Sequence, residues 1–154
     1  MRYITAAFMI AIAQWAYAEI APRDGWVVIM TDKDHATLLA DLKAAVKANK
    51  MGVVTQAGPT ATAARRGITI PENRVVGVFN NDFAVKVLAT STAAMIEAPI
   101  RFYVTENTDG TAALSYKTPA LVFEPYFDEG GTELEALASD LDAVFSKIAI
   151  EATQ

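Results

Sequence analysis

Ile100-Arg101-Phe102-Tyr103-Val104-Thr105-Glu106-Asn107-Thr108-Asp109-Gly110-Thr111-Ala112-Ala113-Leu114-Ser115-Tyr116-Lys117 decides the fold of this chain. Ile100, Phe102 and Val104 alternate with Arg101, Tyr103 and Thr105, the period of two that sends successive side chains to opposite faces of a strand. Asp109-Gly110 stands between two such segments, a strong short-range signal for a hairpin. The stretch predicts two antiparallel strands, 100–106 and 111–117. With a two-residue Asp109-Gly110 turn or a four-residue loop over 107–110, Tyr103 falls opposite or diagonal to Leu114 and Tyr116. Arg101, Tyr103, Leu114 and Tyr116 are therefore expected on one face, and the all-apolar face should meet the helices.

Working outward from the hairpin, Trp26-Val27-Val28-Ile29-Met30 is a β-branched, apolar run of strand length. Leu38, Leu39, Leu42, Ala45 and Val46 then recur at three- and four-residue spacing, which predicts an amphipathic helix from about Asp34 to Asn49. Residues 53–56 read as a second strand, broken by Gly58-Pro59, and 60–66 as a short Ala-rich helix closed by Gly67. Val75-Val76-Gly77-Val78-Phe79 has no polar interruption and is expected inside a sheet. Asn80-Asn81-Asp82 can cap a helix running over 83–96 and stopped by Pro99. Pro119, Pro125 and Gly130-Gly131 mark a loop. Leu134, Leu137, Leu141, Val144, Phe145 and Ile148 then give a long closing helix, with Thr132 and Glu135 as its capping box.

At the N-terminus, Arg2, an apolar run over 4–13 and the small-residue pattern Ala16-Tyr17-Ala18 follow the order of a secretory signal peptide. Residues 1–18 are read as that signal, cleaved after Ala18, and 19–154 as a single domain, periplasmic or secreted, without stable membrane insertion. Cleavage removes Arg2 and no acid, so 12 basic residues remain against 18 acidic ones. An acidic domain repels phosphate backbones, which excludes nucleic acid as a partner. Cysteine is absent, so disulfides, thiol nucleophiles and thiolate metal sites are all excluded, and packing alone must hold the domain.

The run over 75–84, then Glu97-Ala98-Pro99-Ile100-Arg101-Phe102-Tyr103-Val104, Asp109-Gly110 and Leu114-Ser115-Tyr116, resembles the uncharacterised domain-of-unknown-function family 302. The resemblance implies an α+β fold of two layers: a curved, mostly antiparallel sheet with helices packed on one face and a long C-terminal helix, in agreement with the element order. It implies no activity. Many members of the family carry an Asp-His pair where this chain has Gly58-Pro59, and a Phe-Gly-Asn-Pro turn where it has Phe79-Asn80-Asn81-Asp82.

His35, the single histidine, sits beside Asp34 at the expected helix start, where a solvated position without catalytic role is expected. One His among scattered carboxylates lacks metal-ligand spacing, and no Gly-rich phosphate loop occurs, so no metal and no cofactor is expected. Asp128, Glu129, Glu133 and Glu135 read as favourable charge at a helix N-terminus. What remains is the face of Arg101, Tyr103 and Tyr116, with Asn81 and Asp82 at its mouth, as a ligand-binding site. The chain is thus read as a non-enzymatic module that binds a small molecule or a protein partner. Two alternatives stand beside it: an acid/base enzyme using Asp82 or Glu97 with Tyr103 or Tyr116, and a structural homodimer joined through this face.

Overall fold

The structure is a computed structural model and describes residues 20–154; the expected signal peptide lies outside the described residues. Five strands, β1 (Trp26–Met30), β2 (Gly52–Ala57), β3 (Asn73–Phe79), β4 (Ile100–Glu106) and β5 (Ala112–Lys117), form one antiparallel sheet in the order β1-β5-β4-β3-β2. Five α-helices accompany it: α1 (His35–Ala48), α2 (Thr60–Arg65), α3 (Asn81–Thr90), α4 (Pro119–Phe123) and α5 (Phe127–Thr153). α1 and α5 pack together on one side of the sheet. The fold is the two-layer α+β arrangement expected, and β3 lies inside the sheet.

Alternation explains the core. Ile100, Phe102 and Val104 of β4, Leu114 and Tyr116 of β5 and Val76 and Val78 of β3 are buried beneath Leu38, Leu42 and Val46 of α1 and Leu141, Phe145 and Ile148 of α5. The Phe102 and Phe145 rings stack at 4.7 Å, and Tyr116 meets Phe102 edge-on at 5.0 Å. Both are favoured aromatic geometries. Asp34 caps α1 by accepting the Thr37 N–H at 2.7 Å, an interaction that also lowers the Asp34 pKa.

Three local expectations are corrected. The helix expected over 83–96 begins at Asn81 and ends at Thr90, because Asn80 is the N-cap, accepting from the Asp82 and Phe83 N–H groups, and Ser91 is extended. A separate 3₁₀ turn, Ala94–Glu97, follows, with the Ser91 hydroxyl accepting the Ala94 N–H at 3.0 Å. The expected loop after the hairpin is largely helical. Thr118 caps α4, and Pro119 occupies the first helical position, where a missing N–H costs nothing. A 3₁₀ turn, Glu124–Tyr126, leads into α5, whose opening turn from Phe127 is separated by a kink at Gly131 (φ 59°, ψ −159°) from the long helical stretch that follows, and that stretch begins beside Thr132, where the closing helix is expected to start.

The third correction concerns register. Glu106 pairs with Ala112, and Asn107 donates its N–H to the Thr111 carbonyl at 2.7 Å, so three residues, not two or four, span the turn between Asn107 and Thr111. Gly110 supplies the positive φ of 85° that this turn requires, and Asp109 accepts from the Thr111 N–H and hydroxyl. An odd loop moves every partner by one, which transfers a side chain to the opposite face. Tyr103 therefore pairs with Ser115, while Leu114 and Tyr116 join Val104 and Phe102 on the helix-covered face.

Candidate functional site

The face of the sheet away from α1 and α5 is assembled by the same alternation: Trp26, Val28 and Met30 from β1, Ser115 and Lys117 from β5, Arg101, Tyr103 and Thr105 from β4, and Val75 from β3. A groove of about 310 Å3 opens on it, within the size range of small-molecule sites. Trp26 and Tyr103 give it flat, half-buried walls, and Arg101 and Lys117 give it exposed cations. Arg23 and Lys117 approach the Trp26 ring at 5.0 and 5.6 Å from its centroid, within cation–π range. Among the described residues, neither Arg101 nor Lys117 forms an ion pair. At the floor, Ser115 is fully buried and its hydroxyl has no hydrogen-bond partner.

Two of the expected site residues, Arg101 and Tyr103, are thus brought together. Tyr116 is not on this face: it borders only the inner end of the groove, is 4 % exposed, and belongs to the aromatic core. Burial, and secondarily Asp142, push the pKa of its phenol up. Asn81 and Asp82 are exposed in the first turn of α3 and do not line the groove. Glu97 accepts a 2.8 Å hydrogen bond from the Tyr126 hydroxyl, so the carboxylates offered for an acid/base enzyme and the tyrosines are not gathered into one cleft. Trp26, Ser115 and Lys117 escaped the sequence reading; the legible signal for the last two was loop parity.

His35 is also corrected. Its ring is buried, 7 % exposed, and its Nε2 has no partner, because the first residue of α1 turns inward against β4. Burial lowers its pKa, opposed mainly by Glu72. It borders a cleft of about 670 Å3 with Glu72, Arg74, Glu106 and Lys43. No group of three or more His or acidic residues able to hold a metal occurs among the described residues. No described helix is long and apolar enough to cross a membrane.

The family described as domain of unknown function DUF302 matches residues 27–150. Among solved structures, an uncharacterised conserved protein of that family from Bacillus stearothermophilus superposes with a TM-score of 0.75 at 16 % identity, covering 86 % of this chain and 100 % of that one. That likeness shows the fold. No curated protein matches the chain.

Proposed function

This chain belongs to the DUF302 family, and we propose that it is an exported, non-enzymatic binding module whose open sheet face takes a small, anionic, partly aromatic ligand. The observation that carries the reading is the pair of cations, Arg101 and Lys117, that line one groove in an acidic protein without an acidic partner among the described residues. A charged group kept exposed and unpaired beside aromatic walls can meet an anion without first breaking an internal salt bridge. Arg101 offers a fixed fork of donors suited to a carboxylate, and Trp26 and Tyr103 offer surfaces for a flat ring. Export rests on Arg2, the apolar run over 4–13 and Ala16-Tyr17-Ala18.

The test uses a convenience of the sequence: of two tryptophans, Trp15 falls in the segment removed and Trp26 stands in the groove. The exported protein should begin at Glu19 by N-terminal sequencing, and benzoate should change Trp26 fluorescence saturably while benzyl alcohol, of the same ring size and no charge, should not. Native mass measurement of the freshly purified protein should show a monomer or a monomer carrying a small molecule. A doubled mass together with a Trp26 signal indifferent to benzoate would replace this reading with the homodimer.

A further inference from the structure

The cleft beside α1 holds charges of both signs that do not neutralise one another. Glu72 and Glu106 are neighbours at the ends of β3 and β4, tied by a 2.8 Å hydrogen bond from the Glu72 N–H to Glu106 Oε2 and a 2.9 Å bond from the Glu106 N–H to the Glu72 carbonyl. Arg74 follows two residues on, the same side of the strand by period. Although all three border the cleft, no ion pair within 4.0 Å joins Arg74 to either glutamate. Its Nε is buried without a partner, close beneath Gly58, where an added Cβ would come within 3.5 Å of it. The Arg74 charge thus enters no ion pair among the described residues. Leaving such a donor unpaired costs free energy that a simple structural role would not require. His35, nine-tenths buried with Nε2 unpartnered, lines the same space, and so does Lys43, eight residues further along α1 or about 12 Å along the helix axis.

We propose that this cleft is a second binding site, distinct from the open-face groove, for a small molecule with an ammonium at one end and a carboxylate at the other, the chemistry of a short peptide with free termini. Glu72 and Glu106 receive the ammonium. Arg74 and Lys43 receive the carboxylate. A ligand with only one charge meets attraction at one end and repulsion at the other, whereas a bipolar ligand matches both. The volume of about 670 Å3 suits a molecule of a few residues.

His35 is the only imidazole in the chain, so its ring proton resonances report on this cleft alone. Triglycine added to the exported protein near pH 7 should shift them saturably. N-acetyltriglycine amide, with the same backbone and no end charges, and acetate or ethylammonium, with one charge each, should bind at least tenfold more weakly. Glu72→Gln and Lys43→Gln, both changes at the cleft surface, should each weaken triglycine tenfold or more and leave the thermal melt in place. Equal shifts from the capped peptide, or none from triglycine at millimolar concentration, would overturn the proposal. Because benzoate and Trp26 report on the other groove, the two results are independent.

Discussion

The two faces of the sheet are built from alternate residues of the same strands and have opposite fates. Beneath the helices, Phe102, Tyr116 and Phe145 form a closed aromatic cluster in which all three side chains are at most 4 % exposed. On the other side, Trp26 and Tyr103 stay half-buried, Arg101 and Lys117 stay exposed, and Ser115 keeps an unpartnered hydroxyl. Tyr103 and Tyr116 are both strand tyrosines of one hairpin, Tyr103 between Phe102 and Val104 and Tyr116 between Ser115 and Lys117. What separates them is one residue in the turn between them. The aromatic cluster is optimised for packing, whereas the open groove keeps an unpartnered hydroxyl and unpaired cations, so perturbations of the first should appear in stability and of the second in binding.

The largest effect should come from the turn itself. Deleting Thr108 makes the loop even; a slipped register would expose Leu114 and Tyr116, at about 1.5–3 kcal/mol for each large side chain. The melt should then lose several kcal/mol or its cooperativity, and a variant melting like the parent would show that the turn does not set the register. Next, Phe145→Ala removes the ring that stacks on Phe102 and should cost about 3–5 kcal/mol in a denaturant melt. Arg101→Ala should sharpen the contrast: stability within about 0.5 kcal/mol, as for a surface change, and benzoate binding weaker by about 1.5–3 kcal/mol, the range for a hydrogen bond to a charged group. A large loss of stability here would mean that Arg101 serves the fold.

The smallest effect is a pH dependence, and it falls on the covered side. His35 is buried, and its pKa is lowered below the ordinary value of about 6.5, so between these two values the unfolded chain binds more protons than the folded one. Stability from this group is complete above about pH 6.5, declines as pH falls toward the folded pKa, and levels off below it. Desolvation is the main cause; Glu72, Arg74, Glu106 and the adjacent Asp34 are the charged groups that act on it or are acted on by it. Replacing His35 by Gln should flatten this part of the stability profile. An unchanged profile would place the imidazole in water.

The strand pattern, the amphipathic α1 and the long closing helix were legible because each is a periodic signal summed over many residues. Arg101 and Tyr103 were legible for the same reason. Tyr116 was misplaced because face assignment across a hairpin depends on the parity of the loop, and Asn107-Thr108-Asp109-Gly110-Thr111 is compatible with more than one turn. α4 was hidden because Pro119 and Pro125 interrupt chains and begin helices with equal ease, and only the Thr118 cap distinguishes the cases. His35 was misread because a helix-start residue faces water or protein according to what lies beyond the helix end, here β4. The cleft unites residues 35, 43, 72, 74 and 106, a grouping that no local pattern contains.

The strand order also dictates a schedule. β1 is the first strand among the described residues, yet its partner among them is β5, and Trp26 lies opposite Lys117, 91 positions downstream. β4 and β5 can pair through their tight turn, and β3 can pair with β4 across the segment that holds α3, whereas β1 has no template until β5 exists. Long-range pairing of this kind slows folding because chain closure must precede its reward. A chain emerging N-terminus first therefore holds its leading strand in reserve, and the groove wall that Trp26 provides is completed last.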